Sequence, residues 1–139
     1  MLTASGLAWA QSVTLKPEEI VAARQGGMAL TGGITDAMKA GVAAGADPKG
    51  FEEQANALIK WANAYPHLFP AGTENVANTK AKPEIWSDRA GFDKAAAAFV
   101  TASTNLAAAA KSGDKAAFAA AFTAEGQSCG GCHRTYKAR

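Results

Sequence analysis

Apolar side chains recur at steps of three or four residues along most of the chain, and no segment shows a convincing strand-like alternation. The first such segment covers residues 17–44 and opens with a proline and two glutamates, which suit the first turn of a helix. The second begins with Asp47 as N-cap and Pro48 as first helical residue, and it ends near Tyr65. Both patterns predict amphipathic helices.

A long connection and two further helices follow. The connection covers residues 66–82 and is rich in proline, glycine and asparagine; loops of this length are often functional. The third helix is predicted from Pro83 to about Lys111, and the fourth begins after an N-cap at Asp114. Four helices joined by two short turns and one long link predict an all-α fold, an antiparallel four-helix bundle.

Composition adds two constraints on the packing. Hydrophobic residues make up 48% of the chain, but many are alanine, which favours helix and buries little apolar area. Four of the glycines in the first predicted helix weaken it, each by about 1 kcal/mol relative to alanine, and we interpret them as positions of close approach: Gly26, Gly27, Gly32 and Gly33. The helices are therefore expected to pack around a group that supplies further apolar surface.

The first ten residues differ from the rest. They carry no charge and end in Ala8-Trp9-Ala10, an A-x-A pattern typical of a secretory cleavage site. We predict that residues 1–10 are the remnant of a signal peptide and that residues 11–139 form one domain, the alternative being a disordered terminus. The formal net charge of +2 argues against nucleic-acid binding. No run approaches the roughly 20 apolar residues of a membrane span.

The motif with clear chemistry is Cys129-Gly130-Gly131-Cys132-His133. C-x-x-C-H is typical of covalent haem attachment. On a helix, Cys129 and Cys132 are three residues apart, so both sulfurs project to one face. There each can bond to one haem vinyl group. His133 is about 100° further round and presents an imidazole to the iron. The motif predicts one covalent haem c with His133 as an iron ligand.

Two other functions of a cysteine pair fit less well. Structural zinc takes four ligands, and beyond this motif the chain offers only His67 and no further cysteine. A thioredoxin-like dithiol accompanies a βαβ pattern, which is absent from the predicted elements.

A C-terminal C-x-x-C-H on the last helix of an alanine-rich bundle resembles the class II c-type cytochromes, the cytochrome c′ family. Arg24-Gln25 and Lys82-Pro83-Glu84-Ile85-Trp86 match as well. The resemblance implies a periplasmic protein with the haem inside the bundle and with Arg24 and Gln25 beside its propionates, where arginine offers a charge-assisted fork. Thr79 is a further candidate for propionate contact. Without the resemblance, Arg24 would be interpreted as a surface charge.

The resemblance also places the sixth-ligand position three residues after Gln25, at Met28. Arg24, Gln25 and Met28 share one helix face. We predict that Met28 ligates the iron, as in the low-spin branch of the family, and that the protein is an electron carrier. The alternative is that Met28 is an ordinary core side chain that does not ligate the iron. Met38 is the competing methionine, about 15 Å further along the helix.

Three hypotheses on function remain. The first is the electron carrier; the second is a five-coordinate cytochrome c′ that binds nitric oxide or carbon monoxide, with Met28 as steric cover. The third, an enzyme such as a peroxidase, is disfavoured because no acid–base pair is placed to cleave a peroxide. Basic residues near the C-terminus, such as Lys137, would steer an acidic redox partner. The resemblance further implies a homodimer through the first two helices.

Overall fold

The structure is a computed structural model and describes residues 14–139. The predicted signal remnant, residues 1–10, lies outside this range. The described residues form helices and no named strand, which confirms the all-α prediction. The helices are α1 (Pro17–Ala43), α2 (Glu52–Ala64), α3 (Glu84–Ser87), α4 (Arg89–Ser112) and α5 (Lys115–Tyr136).

The bundle consists of α1, α2, α4 and α5. α4 packs along both α2 and α5, and α1 packs against α5. Gly113 ends α4 in the left-handed region, with φ 74°, and the Asp114 carboxylate accepts a hydrogen bond from the Ala117 backbone N–H to cap α5. This tight turn makes α4 and α5 antiparallel. No helix among the described residues is long and apolar enough to cross a membrane.

The third predicted helix is two helices in the structure, so the prediction of one helix over 83–111 is wrong. The chain breaks at Asp88, whose backbone is non-helical with φ −121° and ψ 58°. The Asp88 carboxylate accepts hydrogen bonds from the Gly91 backbone N–H at 3.2 Å and from the Tyr136 hydroxyl at 3.0 Å. A side chain that caps α4 and also binds the end of α5 stabilises this break.

The long loop is fixed to the C-terminal segment. Lys82 donates a backbone hydrogen bond to the Tyr136 carbonyl at 3.0 Å, and Ala138 donates one to the Lys80 carbonyl at 2.8 Å. These bonds frame an isolated antiparallel β-bridge between Ala81 and Lys137. The loop therefore lies beside the end of α5, the part of the chain that carries Cys132 and His133.

The buried side chains form two clusters. The first, between α1, α2, α4 and α5, includes Met38, Leu58, Leu106 and Phe118. The second is mostly aromatic, lies where the long loop meets α4 and α5, and consists of Phe69, Ile85, Phe92 and Tyr136.

The glycines of α1 differ in what surrounds them. A Cβ at Gly27 would overlap with the Trp61 ring of α2, whereas one at Gly26, Gly32 or Gly33 would meet nothing within 4 Å. Among these four glycines, close approach by another side chain is therefore confirmed at Gly27 alone. This contact brings α2 against α1 beside Met28.

Candidate haem-binding site

One cavity of about 430 Å³ is lined by every side chain that the sequence analysis assigned to the site. Its volume lies within the range of pockets that hold organic cofactors. The assigned residues come from three separate parts of the chain: Arg24, Gln25 and Met28 from α1, Thr79 from the long loop, and Cys129, Cys132 and His133 from α5.

The C-x-x-C-H motif lies in the regular helix α5, which forms one wall of the cavity. Cys129 and Cys132 form no disulfide, and both are partly buried. Burial raises the pKa of each thiol; Glu125 further raises that of Cys129, and Cys129 further raises that of Cys132. His133 keeps an exposed edge. Partial desolvation of its ring and the nearby Lys137 ammonium lower its pKa, which favours the neutral imidazole that ligates a metal.

These environments weigh against the two alternative uses of the cysteines. A redox-active dithiol needs a thiol with a depressed pKa, whereas both pKa values here are raised. Within residues 14–139, no group of three or more histidine, cysteine, aspartate or glutamate side chains is arranged to hold a metal ion. His67 is exposed in the turn after α2 and does not line the cavity. The structure thus leaves the cysteine pair without zinc-type partners among the described residues.

Arg24 is the most constrained polar side chain of the site, with 3% of its surface exposed. Its Nη1 donates to the Leu68 carbonyl and to Thr73 Oγ1, both at 3.0 Å. Its Nη2 donates to the Thr73 carbonyl at 3.3 Å and to Thr79 Oγ1 at 2.8 Å. The guanidinium also lies 4.4 Å from the centre of the Phe69 ring. The interpretation of Arg24 as a solvated surface charge is therefore wrong.

The acceptors around Arg24 are all neutral, so a buried cation faces the cavity with no carboxylate partner among the described residues. Burial lowers its pKa, and a buried charge normally requires a counter-ion. A haem propionate would supply one. This arrangement, with two cysteines and an imidazole lining the same cavity, fits a covalently attached haem.

Gln25 and Thr79 shape the edge of the cavity. Gln25 is exposed, and its side-chain amide donates to the Asn78 carbonyl at 2.9 Å. Asn78 adopts a left-handed conformation with φ 66°, which asparagine tolerates better than most residues. Thr79 accepts from Arg24 through the same oxygen that accepts from the Ala81 backbone N–H at 3.2 Å. Both side chains therefore help to hold the loop against α1.

The two methionines of α1 have different surroundings. Met28 is partly buried and lines the cavity. Met38 is fully buried in the first core cluster and does not line the cavity. Of the two, Met28 alone has access to a group bound there.

The sequence analysis missed most of the apolar wall and one buried carboxylate. Phe99 was not assigned to a cofactor site, and Tyr65 was placed only at a helix end. Glu125 is fully buried and does not itself line the cavity. Its position four residues before Cys129 was the available indication, since that spacing shares a helix face. The wall is completed by Phe69, Ile85, Phe92, Ala95, Ala96 and Tyr136.

The chain is similar to known haem proteins. Cytochrome c′ of Rhodospirillum rubrum is 38% identical over 91 residues, which are 66% of this chain and 62% of that protein. Cytochrome c′ of Allochromatium vinosum is 34% identical over an alignment 143 residues long, gaps included, that covers 99% of this chain and 93% of that protein. Cytochrome c-556 of Agrobacterium tumefaciens is 41% identical over 76 residues, which are 55% of this chain and 60% of that protein. The first and third alignments thus span less than two thirds of the relative.

Solved structures share the fold over almost the whole chain. Cytochrome c′ from Thermochromatium tepidum has a TM-score of 0.85 and 33% identity over 91% of this chain and 100% of that chain. A cytochrome c′ with an unusual ligand-controlled dimer dissociation has the same TM-score and 32% identity over the same shares. A ferrous variant from Alcaligenes xylosoxidans with bound NO has a TM-score of 0.83 and 33% identity over 91% of this chain and 99% of that chain.

The family model described as Cytochrome C′ matches residues 19–137, from the first turn of α1 to the residue after α5. The match includes the cavity and each side chain assigned to it. The chain therefore belongs to the cytochrome c′ family, the class II c-type cytochromes, whose members bind one covalent haem c.

Proposed function

We propose that this protein is a five-coordinate haem protein that binds nitric oxide or carbon monoxide. Cys129 and Cys132 would hold the haem, His133 would be the only side chain on the iron, and Met28 would cover the opposite face. A single cavity places the α5 motif and Met28 of α1 on its walls, which is compatible with Met28 as cover or as ligand, so the proposal is carried by the similarity to proteins named cytochrome c′. The relatives named cytochrome c′ and the NO-bound structure support this alternative better than the electron carrier expected from the sequence.

The polar groups of α1 support a small uncharged ligand. Arg24 and Gln25 direct their donors to the long loop, and the Thr31 hydroxyl donates to the Gly27 carbonyl of its own helix at 2.8 Å. The polarity and donors of a distal pocket decide whether haem binds or activates its ligand. Near Met28 the α1 wall therefore offers apolar cover and no spare acid. That favours binding of a neutral diatomic molecule over peroxide chemistry.

A second candidate is the electron carrier with Met28 as sixth ligand. It is favoured by the position of Met28 on the cavity wall and on the helix face of Arg24. A thioether ligand tends to raise the reduction potential of haem iron. The cytochrome c-556 relative shows that similarity is not confined to proteins named cytochrome c′.

Absorption spectra of the holoprotein with and without carbon monoxide distinguish the two candidates. The proposal expects a high-spin spectrum in which carbon monoxide shifts the bands. Met28→Leu should keep that spectrum, because leucine fills similar space. Met28→Ala should bind carbon monoxide roughly two- to tenfold more tightly, because the ligand no longer displaces a side chain from its rotamer. Met38→Leu, in the core away from the cavity, is the matched control and should change neither result.

The opposite pattern would replace the proposal by the electron carrier. In that case the wild type would have sharp low-spin bands that carbon monoxide does not affect, and Met28→Leu would turn high-spin. A low-spin spectrum in all four proteins would exclude Met28 as the ligand.

A homodimer is also proposed for this protein. α1 presents an exposed apolar side in which Leu30 is 73% exposed and small residues such as Ala22, Ala29, Gly33 and Ala37 follow the same face. The relative with ligand-controlled dimer dissociation supports the assignment. Leu30→Glu should shift the holoprotein to a monomer in sedimentation velocity, because a dimer would bury its charge; an unchanged dimer would place the interface elsewhere.

We further propose a periplasmic location and an acidic redox partner, supported by the family and by charge. The uncharged start of the sequence supports export to the periplasm, where c-type haem is attached in the family. Lys80 and Lys137 lie on the cavity lining, and Lys82 follows in the adjoining loop. A positive edge of this kind favours an acidic redox partner.

A further inference from the structure

Glu125 is a buried carboxylate that the proposed function does not use. It lies on α5, one turn before Cys129, with none of its surface exposed. Its partner is Ser103 of α4, also fully buried, whose hydroxyl lies 3.2 Å from Oε1 and 3.4 Å from Oε2. A buried carboxylate with a single neutral hydrogen-bond donor is poorly compensated when ionised.

We propose that Glu125 is a proton-binding residue coupled to the oxidation state of the haem, so that reduction is accompanied by proton uptake at its carboxylate. One electron enters from a one-electron donor, which is a redox protein in the cell or dithionite in the test. One proton enters from solvent and forms an O–H bond on a Glu125 oxygen. No other bond forms or breaks. The proposal rests on the haem attachment in the proposed function.

The position of Glu125 supports this coupling. Glu125, Cys129 and Cys132 follow one another at four and three residues, so they share the face of α5 that borders the cavity. Glu125 precedes His133 by eight residues, about 12 Å along the helix. At that separation and an effective dielectric constant of about 20, a unit charge changes an equilibrium constant roughly tenfold.

Few polar groups surround Glu125 among residues 14–139. α4 contributes the Ser103 hydroxyl, and α5 contributes the Cys129 sulfur, which would be an uncharged thioether once the haem is attached. No lysine, arginine, histidine or second carboxylate is among the groups that perturb Glu125. Burial raises its pKa from 4.5 to about 7, and the Ser103 hydrogen bond opposes that rise. The carboxylate therefore titrates where a modest change in nearby charge alters its protonation.

The direction of the effect is fixed. An ionised Glu125 stabilises the ferric state and lowers the reduction potential, so the potential should fall as pH rises through the pKa. The expected total change is tenfold in the reduction equilibrium constant, about 59 mV for one electron. Glu125→Gln keeps the size and the hydrogen bond but removes the charge. Its potential should equal that of the wild type below the pKa and should stay at this higher value above it.

The test is a redox titration of the holoprotein over two pH units on either side of the pKa of about 7. The hydrogen bond from Ser103 favours the ionised form of Glu125. Ser103→Ala removes that bond and should therefore move the inflection of the potential-against-pH curve to higher pH. Glu53→Gln, at an exposed position of α2, removes the same charge and should show the same dependence of reduction potential on pH as the wild type. An infrared difference spectrum, reduced minus oxidised, should show a protonated carboxyl band that Glu125→Gln lacks.

Folding provides a second readout. The pKa of Glu125 is raised in the folded state, so the unfolded chain binds fewer protons between 4.5 and about 7 and stability falls as pH rises through this window. Glu125→Gln should remove that fall, which makes it a variant expected to fold well.

Two outcomes would overturn the proposal. The first is a wild-type reduction potential that does not change over this pH range. The second is a Glu125→Gln variant with the pH dependence of the wild type, which would assign the titration to another group such as a propionate. Failure of the proposed function is distinguishable, since it would appear as absent haem or as insensitivity to carbon monoxide.

Discussion

Replacing both Cys129 and Cys132 by alanine should leave a protein from which acidified acetone extracts all of the haem. Each attachment is the addition of a cysteine S–H across a haem vinyl group, so no atom is lost and the holoprotein mass is the sum of chain and haem. Without either sulfur, non-covalent packing and His133 alone would retain the group. A denaturing gel stained for haem and an intact mass spectrum both measure the result.

The cavity contains a matched control for this experiment. Ser128 precedes Cys129, lines the same cavity, and donates from Oγ to the Glu125 carbonyl at 2.7 Å. Ser128→Ala changes a neighbouring polar side chain of similar size and should leave the haem covalently attached. Haem that stays with the Cys129→Ala/Cys132→Ala chain after denaturation would contradict the assignment of the motif.

The α5 half of the site could be predicted because it depends on local geometry. C-x-x-C-H lies within five residues, and helix periodicity alone places both sulfurs on one side. The structure keeps this segment in one regular helix. The pKa values of the two thiols could not be predicted in this way, since they depend on burial by other helices.

The other half of the site depends on contacts between distant segments. Arg24 binds Thr73 and Thr79, which are 49 and 55 residues away. The sequence therefore gave no physical reason to bury it, and only the family resemblance pointed to the site. Glu125 was missed for a related cause: its burial requires Ser103, 22 residues earlier on another helix.

The helix break at Asp88 also depends on a contact between distant segments. Apolar periodicity continues from Ile85 to Leu106, so pattern alone predicts one helix. The interruption requires the hydrogen bond from Tyr136, 48 residues away. Local sequence thus determined the helices and the haem motif, whereas tertiary contacts determined the loop, the buried charges and the break.

Arg24→Met should be the most destabilising of the single substitutions considered for this protein, by about 3–5 kcal/mol. Methionine fills similar apolar space but donates no hydrogen bond, so the Leu68 and Thr73 carbonyls lose a charged partner inside the protein. The loop over residues 69–82 would then separate from α1 and expose the cavity edge. Denaturant unfolding of the holoprotein measures the stability, and hydrogen exchange of the loop measures the separation.

Arg89 is the matched control, because it binds carbonyls of the same region from the surface. Its guanidinium donates to the Phe69 carbonyl at 3.3 Å and the Pro66 carbonyl at 3.2 Å, and it forms an ion pair with Asp93 at 2.8 Å. Its side chain is 42% exposed, so water can replace these partners. Arg89→Met should therefore cost at most about 1 kcal/mol.

Arg24→Lys separates the charge of Arg24 from its geometry. Lysine keeps one positive charge near the cavity, but a single ammonium cannot reproduce the two-nitrogen fork that binds Leu68, Thr73 and Thr79 together. Its cost should lie between those of Arg24→Met and Arg89→Met, with faster exchange in the loop. Equal stability losses for Arg24→Met and Arg89→Met would show that burial adds nothing at Arg24. The cavity would then need another explanation for its buried cation.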